Sequence, residues 1–220
     1  MPATTIAPLS SAQSQLVFRA VMEALTRPGT VHRLPVAADA GGLPAALLPV
    51  LALADLGTPA CVLADGGQWA DVVRAMTLAP AAGLAQARLV AALRSVTGDE
   101  LASLRTGTPE APEDGALACL SVASIRPLPS DGSADGADSA DGDLGTGGGS
   151  AGGDGRLLRL SGPGIPGATG LVVTGLPSDF VAVRRELTGG FPVGADLLLV
   201  TPDGDLAGLP RTTLIDEEAR

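Results

Sequence analysis

One glycine-rich run has the spacing of a phosphate-binding loop. Residues 162–167 read Gly-Pro-Gly-Ile-Pro-Gly, which matches G-x-G-x-x-G, and they follow an apolar segment that resembles a strand. A nucleotide loop aims backbone N–H groups at phosphate oxygens, and Pro163 and Pro166 each lack that group. The residues that follow, 171–173, are Leu-Val-Val and favour a strand rather than a helix. The run is therefore predicted to be a rigid turn between two strands.

The chain has few residues suited to acid–base, nucleophilic or metal chemistry. His32 is the only histidine, and the two cysteines, Cys61 and Cys119, each lie inside an apolar segment predicted to be a buried strand. One histidine and two buried thiols cannot form the usual His/Cys metal site, so we predict no bound metal. A histidine in a strand is usually a satisfied or exposed polar group. A general-base role for His32 remains open, but no neighbouring motif supports it, and we assign no catalytic residue.

The best candidate for a binding contact lies near the C-terminus. Arg211, Thr212 and Thr213 follow Leu-Pro at the end of the last predicted strand. An arginine beside two hydroxyl groups can hold an anionic oxygen group in a fork, or can contact a partner protein. The alternative is a structural arginine that pairs with a carboxylate such as Asp196. The sequence leaves both interpretations open.

A long acidic stretch interrupts the chain at residues 127–155. Its aspartates do not have the spacing of a helix–loop–helix calcium loop, and no glutamate closes such a loop. A segment rich in Gly, Ser and Asp cannot bury enough apolar surface to offset the entropy of ordering, so we expect a disordered insert. Residues 1–126 and 156–220 are then predicted to form a single domain. The acidic residues of the insert are Asp131, Asp135, Asp138, Asp141, Asp143 and Asp154.

Composition excludes several classes of function. All 14 basic residues are arginine, so the chain lacks the lysine that Schiff-base chemistry and P-loops require, and we predict no cofactor. The net charge is −10 and aromatic residues are 2% of the chain, which argues against binding to nucleic acid. No apolar run is long enough to span a membrane, and the N-terminus does not resemble a signal peptide. Two cysteines that serve as small apolar core residues favour a reducing compartment, so we expect a cytoplasmic protein.

Helical and strand patterns alternate along most of the chain, which predicts a layered α/β/α domain with a mixed sheet. A capping box formed by Thr97 and Glu100 opens one short helix, and Ser178 is expected to cap another. The predicted helices cover 11–27, 43–56, 68–78, 97–104 and 178–187. The predicted strands cover 30–34, 59–63, 88–93, 117–125, 156–160, 170–174, 195–201 and 206–209.

Short segments in a fixed order give the chain a family resemblance. Together they resemble the H subunit of the carbon–phosphorus lyase core complex of bacterial phosphonate metabolism, over the whole chain except the N-terminal tip and the insert. The segments are Phe18-Arg19, Arg27-Pro28-Gly29, Leu53-Ala54-Asp55 with Thr58-Pro59, Thr106-Gly107-Thr108, Ala111-Pro112-Glu113 with Gly115-Ala116, Leu158-Arg159-Leu160 with Gly162 to Ile165, Phe191 to Asp196, and Leu209 to Thr213.

The resemblance implies a fold, partners and a role. The fold would be a trimmed pyridoxal-phosphate transferase sheet without the cofactor, and the chain would form a homodimer that assembles with the G, I and J subunits. In that system G, H and I, helped by the L protein, exchange the adenine of ATP for a phosphonate, giving a ribose 1-phosphonate 5-triphosphate. The J subunit then breaks the carbon–phosphorus bond by radical chemistry at an iron–sulfur cluster. The family implies no catalytic residue in the H subunit, and the acidic insert departs from its pattern.

Two other functions stay open at this point. The chain could be a stand-alone homodimeric domain that binds a small molecule and descends from a transferase fold. It could also be an independent hydrolase that uses aspartate carboxylates, although no paired-carboxylate motif or activated nucleophile supports that interpretation.

Overall fold

The computed structural model describes residues 8–35, 42–128 and 155–217. Five α-helices occur in this part of the chain: α1 (Ser11–Thr26), α2 (Leu48–Leu53), α3 (Gln68–Thr77), α4 (Gly98–Ala102) and α5 (Phe180–Thr188). Two short 3-10 turns cover Ala45–Leu47 and Pro112–Asp114. The ten strands are β1 (His32–Arg33), β2 (Ala60–Leu63), β3 (Leu89–Ala92), β4 (Leu117–Ser121), β5 (Ser124–Leu128), β6 (Arg156–Ser161), β7 (Ala168–Thr174), β8 (Asp196–Val200), β9 (Asp205–Leu209) and β10 (Leu214–Glu217).

The main sheet has six strands in the order β1-β9-β8-β4-β3-β2. The four strands β2, β3, β4 and β8 run parallel to one another, and β9 and β1 continue the sheet through antiparallel pairings. The hairpin between β8 and β9 turns at the predicted Asp203-Gly204, where Gly204 has a positive φ of 89°. The predicted mixed sheet is therefore confirmed.

Residues of the main sheet alternate between two cores. On one face, side chains such as Ala91, Cys119 and Leu198 pack with α1, α2 and α3. On the other face, Ala92, Leu120 and Leu197 pack with α4, α5 and a second sheet. Strands buried on both faces are near-continuously apolar, as parallel strands between two layers must be. The layering is thus helices, sheet, and a third layer of mixed composition.

The second sheet is a feature that the sequence patterns did not predict. It has four antiparallel strands in the order β10-β6-β7-β5. Residues 117–125 were predicted to form one strand, and this prediction is wrong. The N–H of Val122 bonds to Val200 in the main sheet, whereas the N–H of Ala123 bonds to Thr174 in the second sheet. The chain therefore changes sheets between Val122 and Ala123, and the terminal strand β10 was missed altogether.

The helices agree with their sequence signals except at two places. Ser10 and Gln13 form a capping box at the start of α1, and Thr97 and Glu100 form the predicted one at α4. The predicted helix over 43–56 is shorter, because residues 45–47 form a 3-10 turn and α2 begins only at Leu48, with Pro49 in its first turn. The predicted cap Ser178 is also wrong: Asp179 occupies the N-cap of α5, and no side chain caps that helix.

Most of the predicted insert, residues 129–154, lies outside the described part of the chain. Its first two residues, Pro127 and Leu128, belong to β5, where they pair with Leu171 and Gly170. The start of the insert is therefore at least two residues later than the composition indicated.

Candidate functional site

Arg211 lies where β9 leaves the main sheet, beside the first residue of β8. Its Nη2 donates to Oδ2 of Asp196 at 2.6 Å, and its Nε lies 3.2 Å from both carboxylate oxygens. The backbone N–H of Arg211 also donates to Asp196, at 2.7 Å, and its Nη1 donates to the carbonyl of Pro112. The pairing with Asp196 that the sequence left open is present. Since most of its donors are used within the chain, Arg211 serves first to join three segments.

A second arginine lies behind this pair and is almost fully buried. Arg184, on α5, is 2% exposed. Its Nη1 donates to the carbonyl of Ala195, and its Nη2 donates to those of Leu209 and Pro210, at 2.7–3.1 Å. These carbonyls belong to the residue before β8 and to the end of β9. The buried guanidinium therefore fixes α5 against one edge of the main sheet.

The electrostatics of this cluster are unbalanced. Burial lowers the pKa of Arg184 to about 10, while the charge of Asp196 opposes that shift and the charge of Arg211 adds to it. Arg184 is therefore still cationic at neutral pH. Within the described ranges no carboxylate hydrogen-bonds to it, so Arg184 and Arg211 share the single negative charge of Asp196. A buried charge is costly unless it is paired, so the cluster carries an excess positive charge that the described residues do not compensate.

The two threonines of the predicted contact have different surroundings. Thr212 is half-buried, and its backbone approaches Gly162, where an added Cβ would lie 2.8 Å from the Thr212 carbonyl oxygen. Thr213 is 2% exposed, and its hydroxyl has no hydrogen-bond partner. Thr213 lines a pocket together with Arg184, whereas Arg211 and Thr212 are not part of that lining. An anion or interface role for Arg211, Thr212 and Thr213 stays a prediction.

The opposite edge of the sheet, at the carboxyl ends of the parallel strands, is where open α/β sheets commonly bind ligands. There Arg94 forms a bidentate pair with Glu100, at 2.6 and 3.0 Å, and its Nε lies 4.0 Å from Asp65. The hydrogen bond from Arg94 is the main reason that the pKa of Glu100 falls to about 2. Glu100 also accepts from the N–H of Thr97. These groups satisfy one another, which favours a structural role.

His32 takes part in a local network at the end of α1. Its Nε2 lies 2.7 Å from the hydroxyl of Thr30, and its Nδ1 lies 3.4 Å from Glu23. This order of groups resembles a nucleophile, base and orienting acid. However, the Thr30 hydroxyl donates its one proton to the carbonyl of Arg27, at 2.6 Å, so it accepts from His32 rather than donating to it. The network therefore ties down the helix end and does not activate a nucleophile.

The remaining predicted candidates are structural. Residues 162–167 form the turn between β6 and β7, as predicted, and Gly164 has a positive φ of 83° and passes close to the carbonyl of Thr26. Burial raises the pKa of the Cys119 thiol to about 12, and it also raises that of Cys61. Neither thiol is therefore poised as a nucleophile. Among the described residues no group of His, Cys, Asp and Glu could hold a metal ion, and no helix is long and apolar enough to cross a membrane.

Comparison with known proteins decides the family. Residues 9–216 match the model of the bacterial phosphonate metabolism protein family PhnH. The chain belongs to the PhnH family. A relative from Stutzerimonas stutzeri, HtxG, is 32% identical over 208 residues, which cover 93% of this chain and 86% of the relative. Its name describes it as a candidate C-P lyase subunit protein. The family indicated by the sequence segments is therefore confirmed, with nearly the whole chain inside the PhnH match.

Arg184, the most buried charged residue in the described part of this PhnH chain, was not among the predicted site residues. A signal for it was present. Arg184 lies four residues after Phe180 and three before Leu187, both of which were placed on the buried face of α5. An arginine at that spacing must be buried with the apolar stripe. Its backbone acceptors could not be found from the sequence, because they come from segments 11 to 26 residues away.

Proposed function

We propose that this protein is an accessory subunit of the carbon–phosphorus lyase system. In this role it assembles with the G, I and J subunits and, together with G and I, supports the transfer of phosphonate onto the ribose of ATP, with release of adenine. The observation that carries the proposal is the family match over residues 9–216. The name of the relative HtxG, a candidate C-P lyase subunit, supports it.

The chemistry of the described residues supports an accessory rather than a self-sufficient role. The thiols are protonated, the single histidine binds its own helix end, and the carboxylates of the two arginine pairs described above, Glu100 and Asp196, are each engaged by an arginine. General acid–base work needs a group that is free to exchange a proton with substrate. The reacting groups are therefore proposed to come from the other subunits. The fold of this chain is proposed to be akin to that of a pyridoxal-phosphate transferase without its cofactor.

Exposed apolar side chains near the arginine cluster are proposed to contact partner subunits. Phe191 is 71% exposed and Leu214 is 66% exposed, and they lie in or next to two of the segments that resemble the family, Phe191 to Asp196 and Leu209 to Thr213. Aromatic residues are enriched at interface centres, so Phe191 is the better candidate for an anchor. Homodimerisation and a cytoplasmic location are part of the same proposal; the first rests on the family resemblance and the second on the two unpaired, apolar-packed cysteines.

Co-expression with tagged G and I subunits tests the proposal. The chain should be recovered with them, and the chain alone should release no adenine from ATP in the presence of methylphosphonate. Phe191→Ser should weaken recovery with the tagged subunits at least tenfold. Leu56→Ser is the matched control, because Leu56 is 72% exposed but lies far along the chain from this surface, between α2 and β2.

Two results would contradict the proposal. Recovery of the chain as a free species at every ratio of subunits would favour a stand-alone binding domain. Robust adenine release by the chain alone would show a complete active site that the described residues do not reveal. Light scattering of the purified chain tests the homodimer separately.

A further inference from the structure

The lining of a pocket between α5 and β10 includes two residues that each have a buried polar atom without a hydrogen-bond partner. The pocket has a volume of about 140 Å³, well above the roughly 10–15 Å³ that one water requires. Its lining includes Arg184, Arg185 and Thr188 from α5 and Thr213 and Asp216 from the C-terminal segment. The unpaired atoms are Nε of Arg184 and Oγ1 of Thr213. Both therefore belong to residues that line the same pocket.

The unpaired Nε of Arg184 is unusual because the rest of the guanidinium is well bonded. A guanidinium has five N–H donors, and three of its contacts go to the carbonyls of Ala195, Leu209 and Pro210. These acceptors are neutral and leave the charge uncompensated. A donor left without an acceptor in the interior costs free energy, so this atom calls for a further partner, such as a water or a bound ion.

Thr213 provides the second indication. Its side chain is as deeply buried as that of Arg184, at 2% exposure, yet its hydroxyl makes no hydrogen bond. Valine has nearly the same shape and would fill the position without an unsatisfied polar atom. The hydroxyl therefore lowers the stability of the fold, and residues that do so are typical of functional sites.

The charges around the pocket favour an anion. Arg184 and Arg185 contribute two positive charges, and Asp216 contributes one negative charge. Asp216 pairs only loosely with Arg185, at 3.4 Å, and the side chains are 77% and 66% exposed. Behind Arg184, the pair of Arg211 and Asp196 is neutral as a unit. The pocket therefore has a net positive charge and donors from two buried side chains.

We infer that this pocket binds a small tetrahedral oxyanion, of the phosphate or phosphonate class, through Arg184, Arg185 and Thr213. An oxyanion supplies the negative charge that Arg184 lacks and several acceptors, for the Nε–H and for the Thr213 hydroxyl. Both atoms are covered in the structure, so binding includes a side-chain rearrangement at the pocket lining. The inference concerns the chain alone and does not depend on its assembly with other subunits.

Titration of the purified full chain with inorganic phosphate, and separately with methylphosphonate, tests the inference. Binding is measured by calorimetry, and by the rise in Tm at constant ionic strength, with chloride as the reference salt. Thr213→Val removes only the hydroxyl, and Arg185→Gln removes only the outer charge. Each variant should weaken binding of the preferred oxyanion about fivefold or more. Without oxyanion, Thr213→Val should melt at the same temperature as the wild type or higher.

Arg33→Gln is the matched control for Arg185→Gln. Arg33 is also 66% exposed and also pairs with one aspartate, Asp205, but both residues lie in the main sheet, on β1 and β9. The Arg33→Gln variant should leave oxyanion binding unchanged.

Tighter binding of methylphosphonate would identify the phosphonate as the natural ligand, and tighter binding of phosphate would identify free phosphate; both results support the pocket. If neither oxyanion bound to the wild type at concentrations of about 10 mM, the inference would be overturned. Binding that Thr213→Val and Arg185→Gln leave intact would also overturn it, since the anion would then lie elsewhere.

Discussion

Arg211 and Asp196 meet through a side-chain contact at 2.6 Å and a backbone contact at 2.7 Å, although they are 15 residues apart in the chain. The antiparallel pairing of β8 and β9, which places Leu197 opposite Leu209, brings the start of one strand to the end of the other. The side chains are only 16% and 23% exposed, so water screens their charges weakly. This contact joins the start of β8 to the end of β9, beside the buried Arg184.

A double-mutant cycle with Arg211→Gln and Asp196→Asn should show a coupling free energy of about 1–3 kcal/mol, because the pair is bidentate and sheltered. The same cycle with Arg33→Gln and Asp205→Asn should give less than about 1 kcal/mol, because those side chains are 66% and 34% exposed. Urea unfolding of all variants provides the measurement. Equal coupling in the two pairs would show that the Arg211 contact is not the structural link described here.

Stability should depend on Glu100 in acid. Its pKa is about 2 in the folded chain and near the ordinary value of 4.5 in the unfolded chain. A depressed pKa stabilises the fold above about pH 4.5, and this contribution is lost as the pH falls towards 2. Glu100→Gln should therefore lower the free energy of unfolding at pH 7 by about 1 kcal/mol, with a smaller difference from the wild type near pH 2.5.

Chemical denaturation at several pH values measures this effect. Glu110→Gln is the control, because Glu110 is exposed and lies outside the helix cap. A Glu100→Gln variant whose difference from the wild type did not change with pH would contradict the assigned role of the ion pair with Arg94.

Gly208 should not tolerate a side chain. A Cβ at this position of β9 would lie 2.4 Å from the carbonyl oxygen of Ala24, which belongs to the backbone of α1 and cannot easily move. Gly208→Ala should destabilise the fold by about 2–3 kcal/mol, measured as a fall in Tm. Gly67→Ala, where no atom lies within 4 Å of the added carbon, should change stability by less than about 1 kcal/mol. Equal effects would mean that α1 does not pack this closely on β9.

Deletion of residues 132–153 should leave the fold nearly intact. The prediction rests on their composition and on the strands that flank them. β5 ends opposite Gly170 and β6 begins opposite Val173, on either side of β7, which corresponds to a span of roughly 14 Å. The five residues left, 129–131 with 154 and 155, can reach roughly 20 Å. A shorter loop changes closure entropy by only about 0.6 kcal/mol per halving. A fall in Tm of more than about 4 °C would show that the segment contributes to packing.

The parts of the fold that local signals specify were predictable. The capping box of Thr97 and Glu100, the apolar stripe of α1 and the turn at Asp203-Gly204 each depend on residues within a few positions of one another. The prolines at 163 and 166 were also enough to exclude a phosphate loop, because proline has no N–H in any fold. The absence of lysine likewise excludes Schiff-base chemistry on a side chain, however the chain folds.

Only the tertiary structure decided how the segments divide between two sheets and where the unpaired polar atoms lie. The apolar run from Leu117 to Ile125 has no local break, and it changes sheets at Val122 because its hydrogen-bond partners, Val200 and Thr174, are distant in sequence. Arg184 and Thr213 are 29 residues apart in the chain, and the packing of α5 on β10 brings both into the lining of one pocket. Local composition determines which segments can be helices, strands or turns. The free energy of burying and pairing groups across the chain determines which of these segments meet.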